Sequence, residues 1–314
     1  MTQPDISVVI PCFDGERTLA AAIESALVQP GVETEVIVVD DGSRDASLAV
    51  ARRYEPRVRV LTGPNRGVSA ARNAGAEAAR GAWIVFLDAD DLLAEGTLAR
   101  RLGLSGAAAE AVQVIACDWR EIDDAANGFA GPVRALDFAA LAEDAERAIA
   151  AGAWAPTAAL TYRRDLVARI GGFRADLPVI QDARYFFEAA RAGAGIAHAP
   201  HVGASYRIVA ESLSRRDPGR FWRDVLLNGT QIEAHWTEAG ALTDARRRVL
   251  AGVYDNAARA LLAAADSGYF EASAGRRRLG VPATLHARVT GPVARLFGLA
   301  AARRVAALAR AALP

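Results

Sequence analysis

The chain has 314 residues, of which 37 are basic and 37 acidic, and every basic residue is arginine. The absence of lysine excludes Schiff-base chemistry and any phosphate loop that depends on a lysine, which leaves arginine as the side-chain cation for phosphates. The two cysteines, Cys12 and Cys117, cannot build a disulfide framework or a cysteine-based metal site, and the balanced charge gives no indication of a nucleic-acid partner.

Three short apolar runs in the first third of the chain, residues 6–10, 36–39 and 83–87, predict buried strands of a mostly parallel sheet. Helical patterns over residues 18–27, 46–54 and 69–79 alternate with them. This alternation predicts an α/β fold with helices on the faces of the sheet, in which active residues lie at the carboxyl ends of the strands.

Further along, residues 112–117 and 157–162 are expected to be strands, and residues 165–170 and 182–192 to be helices that end at glycines. Beyond about residue 214 the pattern becomes almost entirely helical, which predicts a sheet domain over 1–214 and a helical region over 215–314. Because the start shows no leader pattern and no segment is apolar enough to span a bilayer, we expect a cytoplasmic protein.

The first candidate motif, Asp40-Asp41-Gly42-Ser43, follows the second predicted strand. A carboxylate at a strand end can accept a hydrogen bond from the N–H of a uracil or guanine base, and glycine allows the backbone to approach a flat ring. The alternative is that these residues only end the strand and cap the next helix.

The second motif, Asp88-Ala89-Asp90-Asp91, follows the third predicted strand. In an extended segment Asp88 and Asp90 share a face, so both could meet one diphosphate and its metal. Their hard oxygen ligands suit Mg²⁺ or Mn²⁺. A D-x-D pattern alone also arises by chance in many soluble proteins.

Two further motifs lie at the starts of predicted helices. Residues 65–75 form a loop that becomes a helix carrying Ser69, Arg72 and Asn73, and a helix N-terminus with an arginine favours phosphate. A capped surface helix with a solvated arginine is the alternative. Asp182 begins the other helix, where an aspartate serves either as a catalytic base or, more commonly, as an N-cap.

In their order along the chain, these motifs resemble those of the family 2 glycosyltransferases, over about the first 214 residues. The matching segments are Ser7-Val8-Val9-Ile10-Pro11-Cys12-Phe13-Asp14, Asp40-Asp41-Gly42-Ser43, residues 65–75, Leu87-Asp88-Ala89-Asp90-Asp91, Gly171-Gly172-Phe173 ahead of Gln181-Asp182, and Tyr206-Arg207 with Ser212-Leu213-Ser214. The resemblance implies a GT-A fold, with a nucleotide-sugar half over about residues 1–98 and an acceptor half over about 99–214.

The resemblance assigns donor binding to six residues: Pro11, Phe13, Asp14, Asp41, Arg72 and Asp88. The first three line the base and ribose pocket, Asp41 holds the base, Arg72 approaches the diphosphate, and Asp88 faces the ribose or donor sugar. Asp90 is implied as the ligand of a divalent metal, Mn²⁺ or Mg²⁺. Asp182 is implied as the catalytic base.

Four positions depart from the family pattern. Phe13 stands for tyrosine, Asp14 for asparagine, Gln181 for the glutamate before the base, and Val209 for the histidine of the closing motif. Because valine cannot ligate a metal, Asp90, diphosphate and water are left as the implied coordination shell.

The reaction implied by the resemblance is inverting transfer of a sugar from a nucleoside-diphosphate sugar to a hydroxyl of a polysaccharide, lipid-linked glycan or other glycoconjugate. One carboxylate takes the hydroxyl proton, while a metal neutralises the diphosphate leaving group. The alternatives are a non-catalytic nucleotide-sugar-binding relative, which the changes at Gln181 and Val209 favour, and a D-x-D phosphatase or mutase. Two strands ahead of the D-x-D motif disfavour the phosphatase, and the lack of G-x-G-x-x-G disfavours a dinucleotide-binding oxidoreductase.

The processive members of the family carry a Q-x-x-R-W segment and membrane helices, and the sequence contains neither, which favours transfer of single sugars. Trp154, ahead of Asp182, is placed either to stack on an acceptor sugar or to fill the core.

Within residues 283–314, a basic amphipathic helix is predicted to start at Gly291-Pro292, with Val293, Leu296, Phe297 and Ala300 on its apolar face. Such a helix can lie peripherally on an anionic membrane. Its stripe can equally pack on the protein's own domain or on a second subunit, and the oligomeric state is left open.

Overall fold

The computed structural model describes residues 3–105, 111–123, 130–209 and 216–311. Ser212-Leu213-Ser214 of the closing motif, and with it the predicted boundary at residue 214, lies outside these residues. The chain divides into two compact units, Met1–Glu146 with Ala153–Val209, and Arg147–Gly152 with Ala210–Pro314.

The first unit is built on one sheet with helices on its faces. Its strands are Ile6–Cys12 (β1), Thr34–Asp40 (β2), Arg59–Thr62 (β3), Trp83–Phe86 (β4), Leu92–Leu93 (β5), Val112–Asp123 (β6), Ala130–Arg134 (β7), Leu160–Arg163 (β8) and Gly195–Ile208 (β9). The helices up to residue 191 are Leu19–Leu27 (α1), Ser47–Arg52 (α2), Val68–Ala78 (α3), Thr97–Leu102 (α4), Phe138–Ala150 (α5), Arg164–Ile170 (α6) and Gln181–Arg191 (α7). The strand order is β3-β2-β1-β4-β8-β6-β9-β5, and β7 pairs with β6.

The first four strands form the parallel part of the sheet, with β1 between β2 and β4. Every residue of β1 is buried, as expected for a central strand covered on both faces. Helix α3 packs on β1 and β2. A Cβ at Gly75 of α3 would lie 2.2 Å from Val9 Cγ1, so glycine is what allows this close approach.

The other half of the sheet brings in antiparallel pairs, so the sheet is mixed rather than mostly parallel. β8 runs antiparallel to β4 and β6, and β5 runs antiparallel to β9, whereas β6 and β9 are parallel. The predicted α/β class with flanking helices is confirmed. β9 was not predicted because small and polar residues interrupt its apolar pattern, and its pairing with β6 shifts register.

One predicted strand, residues 157–162, is only partly a strand. Thr157–Ala159 forms a 3₁₀ turn after Pro156, and β8 begins at Leu160. The predicted glycine stops are confirmed, because Gly171 and Gly193 take left-handed conformations with φ of 82° and 75° just past α6 and α7.

The second unit is helical, as expected for the C-terminal region. Its helices are Pro218–Glu238 (α8), Asp244–Ala263 (α9), Gly268–Arg278 (α10) and Leu285–Ala311 (α11). α9 contacts the other three, and Trp236, Leu250 and Tyr254 are fully buried in the core of this unit. Within the described residues, no helix has the combined length and apolar character that crossing a membrane requires.

The start predicted for the last helix is wrong. α11 begins at Leu285, and Gly291 and Pro292 lie inside it. Pro292 is tolerated because it is on the exposed side, where water can hydrogen-bond the Arg288 carbonyl that loses its helical partner. The backbone instead breaks at Gly298, whose φ is 80°.

Candidate active site

The carboxyl ends of β1, β2 and β4 lie side by side because these strands are parallel neighbours. Phe13 and Asp14 follow β1, Asp41 follows β2, and Asp88 follows β4. The pairing of β1 with β4 ends at Val9. Pro11 follows two residues later in β1, where it is buried near the end of the strand. This edge of the sheet therefore gathers the residues assigned to donor binding.

The residues after β1 present an aromatic ring beside a cation. Phe13 is 43% exposed, and the guanidinium carbon of Arg44 lies 5.1 Å from the centre of its ring. The Asp14 carboxylate accepts hydrogen bonds from the Arg44 backbone N–H at 2.7 Å and from its Nη2 at 2.5 Å. Arg44 thereby holds the pKa of Asp14 below its usual value.

An open ring with a neighbouring guanidinium is suited to stacking a flat base. Sequence reasoning missed Arg44, because nothing in its local pattern separates it from a solvated turn arginine.

Asp41 organises the loop before α3. Its buried carboxylate accepts the backbone N–H of Arg66 on Oδ1 and that of Gly67 on Oδ2, both at 2.8 Å. Gly42 packs so close that a Cβ would lie 2.8 Å from the backbone nitrogen of Asn65. The interpretation of Asp41 as a cap for the next helix is wrong, because Ala46 holds the N-cap position of α2 and the Asp41 oxygens accept from Arg66 and Gly67 instead. Each Asp41 oxygen keeps a second lone pair that could meet a ligand.

Arg72 connects the two sides of the site. Its guanidinium donates to Asp88 Oδ1 and, at 2.5 Å, to Gln181 Oε1, and it lies 5.0 Å from the centre of the Phe173 ring. The side chain is buried, so the interpretation as a solvated arginine is wrong. Among the described residues its Nε has no hydrogen-bond partner. One buried cation thus links the end of β4 to the start of α7.

Asn73, the neighbour of Arg72, fixes the loop ahead of α7. Its Nδ2 donates to the Phe173 carbonyl at 2.9 Å, and its Oδ1 accepts the Phe173 backbone N–H at 2.7 Å. Ser69 Oγ donates to the Arg174 carbonyl at 3.0 Å. Ser69 and Asn73 of α3 therefore hold Phe173 and Arg174 in place.

Asp88 to Asp91 form a turn rather than the extended segment that was expected. The turn is closed by the Asp91 backbone N–H, which donates to the Asp88 carbonyl at 3.0 Å. Arg207 of β9 anchors it, donating its backbone N–H to Asp91 Oδ1 and its Nε to the Asp90 carbonyl, both at 2.8 Å. Burial and the charge of Asp88 raise the pKa of Asp90 to about 6, and burial raises the pKa of Asp91 well above its usual value.

The donor set of this turn fits a divalent cation shared with a substrate. Within the described residues no group of three histidine, cysteine, aspartate or glutamate side chains is arranged to hold a metal. Asp88 and Asp90 nevertheless lie close enough for the charge of one to raise the pKa of the other, and a cation would relieve that repulsion. Mg²⁺ commonly takes only one or two carboxylates, with substrate phosphates and water completing its shell.

Asp182 is the second residue of α7, and Ile180 is the N-cap, so the interpretation of Asp182 as an N-cap is wrong. Its Oδ2 accepts a hydrogen bond from Trp154 Nε1 at 2.7 Å. Burial raises the pKa of Asp182, whereas the charge of Arg72 and the Trp154 hydrogen bond act in the opposite direction. The residue is partly exposed, so it is not sealed within the core.

Trp154, which donates to this carboxylate, lies in a cluster of aromatic rings. Trp154 packs edge-on against Trp119, with ring centres 6.3 Å apart, and against Tyr206, with ring centres 5.4 Å apart. Burial raises the pKa of Tyr206 to about 12, so its hydroxyl stays protonated near neutral pH. Trp154 is thus neither simple core nor a free stacking platform, because its indole N–H is committed to Asp182. No role was predicted for Trp119 or Tyr206.

The fold is that of GT-A glycosyltransferases: a mixed sheet flanked by helices, followed by a helical C-terminal region. Staphylococcus aureus TarS 1–349 in complex with UDP-GlcNAc superposes with a TM-score of 0.69 at 18% identity, covering 97% of this chain and 91% of TarS 1–349. The mannosyltransferase PcManGT from Pyrobaculum calidifontis, in complex with GDP-Man and Mn²⁺, gives a TM-score of 0.55 at 20% identity, covering 97% of this chain and 87% of PcManGT.

Sequence comparisons point to the same class. Residues 7–136 match the family model described as Glycosyl transferase family 2. The succinoglycan biosynthesis protein ExoO of Rhizobium meliloti (strain 1021) is 44% identical over 122 residues, covering 38% of this chain and 35% of ExoO. Chondroitin synthase of Pasteurella multocida (strain Pm70) is 38% identical over 93 residues, covering 29% of this chain and 10% of the synthase.

In these matches the chain spans only about a third of ExoO and a tenth of the synthase. Residues 7–136 are thus similar to the glycosyl transferase family 2 domain.

Proposed function

We propose that the chain transfers a sugar from a nucleoside-diphosphate sugar to a hydroxyl of a glycan or glycoconjugate acceptor, with inversion at the anomeric carbon. The observation that carries the proposal is the position of Asp182. Its carboxylate is held by the Trp154 indole, and Arg72 links the preceding residue, Gln181, to Asp88 of the turn after β4. A base and a donor-binding turn are thereby connected through a single guanidinium.

In the proposed reaction Asp182 acts as the general base. The acceptor oxygen attacks the anomeric carbon as its proton passes to the carboxylate, and the bond between that carbon and the diphosphate oxygen breaks. One carboxylate is sufficient, because a diphosphate leaving group does not require the general acid that a glycoside hydrolase uses. The Trp154 hydrogen bond favours the ionised form of Asp182 that the reaction needs.

Asp90 is the proposed ligand of a divalent metal, with Asp88 facing the ribose or donor sugar. When bound, Mn²⁺ or Mg²⁺ would neutralise the charge that develops on the diphosphate. The raised pKa of Asp90 supports the assignment. Burial and the charge of Asp88 destabilise its ionised form, which a nearby cation would stabilise. The Mn²⁺ bound in the PcManGT complex supports metal use in this fold.

The nucleotide is proposed to lie against the ends of β1 and β2. Phe13 would stack the base beside Arg44, Asp14 would orient Arg44, and Asp41 would offer its remaining lone pairs to the base. Pro11 would complete the pocket wall. The TarS complex with UDP-GlcNAc supports a nucleotide-sugar donor.

The acceptor is proposed to approach from the side of Trp154 and Tyr206, since the Trp154 indole holds the base and the Tyr206 ring packs edge-on against Trp154. This places donor binding in about residues 1–98 and acceptor binding in about 99–214. Relatives named for succinoglycan and chondroitin synthesis support a glycan acceptor, to which we propose that single sugars are added.

The test is a panel of UDP-, GDP- and TDP-sugars, each with and without Mn²⁺, in which thermal stability is measured first. A ligand that binds only the native state raises the melting temperature, so the true donor should stand out when metal is present. That donor is then incubated with glycan acceptors, and the anomeric configuration of the product is read by NMR. Inversion is expected. No stabilisation by any nucleotide sugar would refute the proposal, whereas binding without transfer to any acceptor would indicate a non-catalytic relative.

A further inference from the structure

The first part of α11 presents an exposed apolar stripe. Leu285, Val289, Pro292 and Leu296 follow one another at intervals of four, three and four residues, which places them along one side of a helix. Leu285 is 68% exposed and Leu296 is 76% exposed. Phe297, just before the break at Gly298, is 72% exposed. We call Leu285, Val289, Pro292, Leu296 and Phe297 the apolar stripe.

The side of the helix that carries Leu285, Val289, Pro292 and Leu296 is not the side that packs on the rest of the second unit. Thr290 and Ala294 on the other side of the helix are buried, and Tyr269 Oη donates to Thr290 Oγ1 at 3.2 Å. Beyond Gly298 the buried positions are again alanines, Ala302 and Ala306. Small residues therefore fill the internal contact while large apolar residues face outward, which reverses the usual amphipathic arrangement of a globular protein.

The C-terminal stretch from residue 272 onward, which includes α11, is strongly basic. After Glu271 the sequence contains eight arginines and no aspartate or glutamate, although the chain as a whole has a net charge of zero. Arg276 and Arg278 pair with Asp255 and Glu233. Five others are exposed and have no carboxylate partner in the part of the chain that the structure describes: Arg277, Arg288, Arg295, Arg303 and Arg304. Arg288 and Arg295 each precede a member of the apolar stripe by one residue.

We propose that α11 docks on an anionic membrane surface, with the apolar stripe in the interface and the flanking arginines on lipid headgroups. Exposed leucine and phenylalanine, beside arginines that have no carboxylate partner in the described residues, match a surface that is both apolar and negatively charged. A two-fold contact with a second copy would bring two such basic segments together, which is unfavourable. A nucleic acid would attract the arginines but offer little to Leu296 and Phe297. Taken together with the proposed function, docking would bring the chain to the surface where lipid-linked acceptors lie.

Flotation of the full chain with liposomes tests the proposal. Vesicles of phosphatidylcholine, with and without phosphatidylglycerol, are used at low and moderate salt. The chain should float only with the anionic vesicles, and less so as salt rises. Leu296→Ser with Phe297→Ser should lower the partition coefficient at least about tenfold. Arg288→Gln with Arg295→Gln should lower it about 30-fold at low salt, since each arginine near an anionic surface contributes about fivefold.

The matched control is Val28→Ser with Leu104→Ser, which removes two exposed apolar side chains of the first unit, 52% and 38% exposed, and should leave flotation unchanged. Circular dichroism confirms that each variant is folded. Failure of the full chain to float at low salt would overturn the proposal. So would a dimer, detected by light scattering, that Leu296→Ser with Phe297→Ser abolishes while flotation persists.

Discussion

Replacing Trp154 with phenylalanine tests how Asp182 works, because it removes the indole N–H and keeps an aromatic ring. The hydrogen bond to Asp182 Oδ2 is 2.7 Å long and favours the ionised carboxylate, the form that the proposed base requires. A hydrogen bond to a charged group contributes roughly 1.5–3 kcal/mol to the form it stabilises. Because both side chains are half-buried, water partly replaces the indole, and we take the lower end of that range.

About 1.4 kcal/mol corresponds to one pKa unit. Losing the donor destabilises the carboxylate, so the pKa of Asp182 rises and protonation of the base extends to higher pH. The acid limb of the pH profile of kcat/KM should therefore move to higher pH by about one pH unit. Activity well below the limb should fall about tenfold, while activity well above it should change little.

The assay is nucleoside-diphosphate release over a range of pH with the donor identified by thermal shift. Trp119→Phe is the matched control, because the Trp119 ring packs against Trp154 and its Nε1 has no hydrogen-bond partner among the described residues. That variant should leave the limb in place. If the acid limb of Trp154→Phe stays at the pH of the unaltered chain while donor binding is intact, Asp182 is not the group whose ionisation limits the reaction.

Three further predictions address the base, the metal and the fold. Asp182→Asn should preserve donor binding and lower turnover by about 10² to 10⁴, the usual share of a general base, and full activity would remove Asp182 from the mechanism. Asp90→Ala should abolish the Mn²⁺-dependent part of donor affinity in calorimetry, and an unchanged dependence would show that another group holds the metal. Gly75→Ala should lower the free energy of unfolding by about 1–3 kcal/mol in urea, because the new Cβ meets Val9 Cγ1 at 2.2 Å, whereas Gly103→Ala, with open space around it, should cost far less.

The parallel part of the fold was predictable because its strands are continuous apolar runs. Residues 6–10 and 36–39 are buried on both faces of the sheet, so their sequence has to be apolar throughout. β9 lacks that signal: its 14 residues include two histidines, a serine and two glycines, and it depends on pairing with β6 along its length. A strand that depends mainly on long-range pairing leaves little trace in local periodicity.

The positions of the site residues along the chain were predictable, but their contacts were not. The strand-end rule placed Asp41 and Asp88 at the correct edge of the sheet. It could not show that Asp88 to Asp91 turn back on themselves, because that turn depends on Arg207, more than a hundred residues later in the chain. Nor could it show that Trp154 donates to Asp182, since such a contact is decided by tertiary packing.

Arg72 illustrates how one buried charge orders the site. The resemblance assigned it to the diphosphate, yet its two terminal nitrogens donate to Asp88 and Gln181. A glutamate at position 181 would bring a third carboxylate to a guanidinium that already faces Asp88 and influences Asp182. With glutamine there, the contact keeps its geometry while the charge of Arg72 remains available to those two aspartates. The departure at Gln181 therefore favours an ionised Asp182, which is the form that a general base requires.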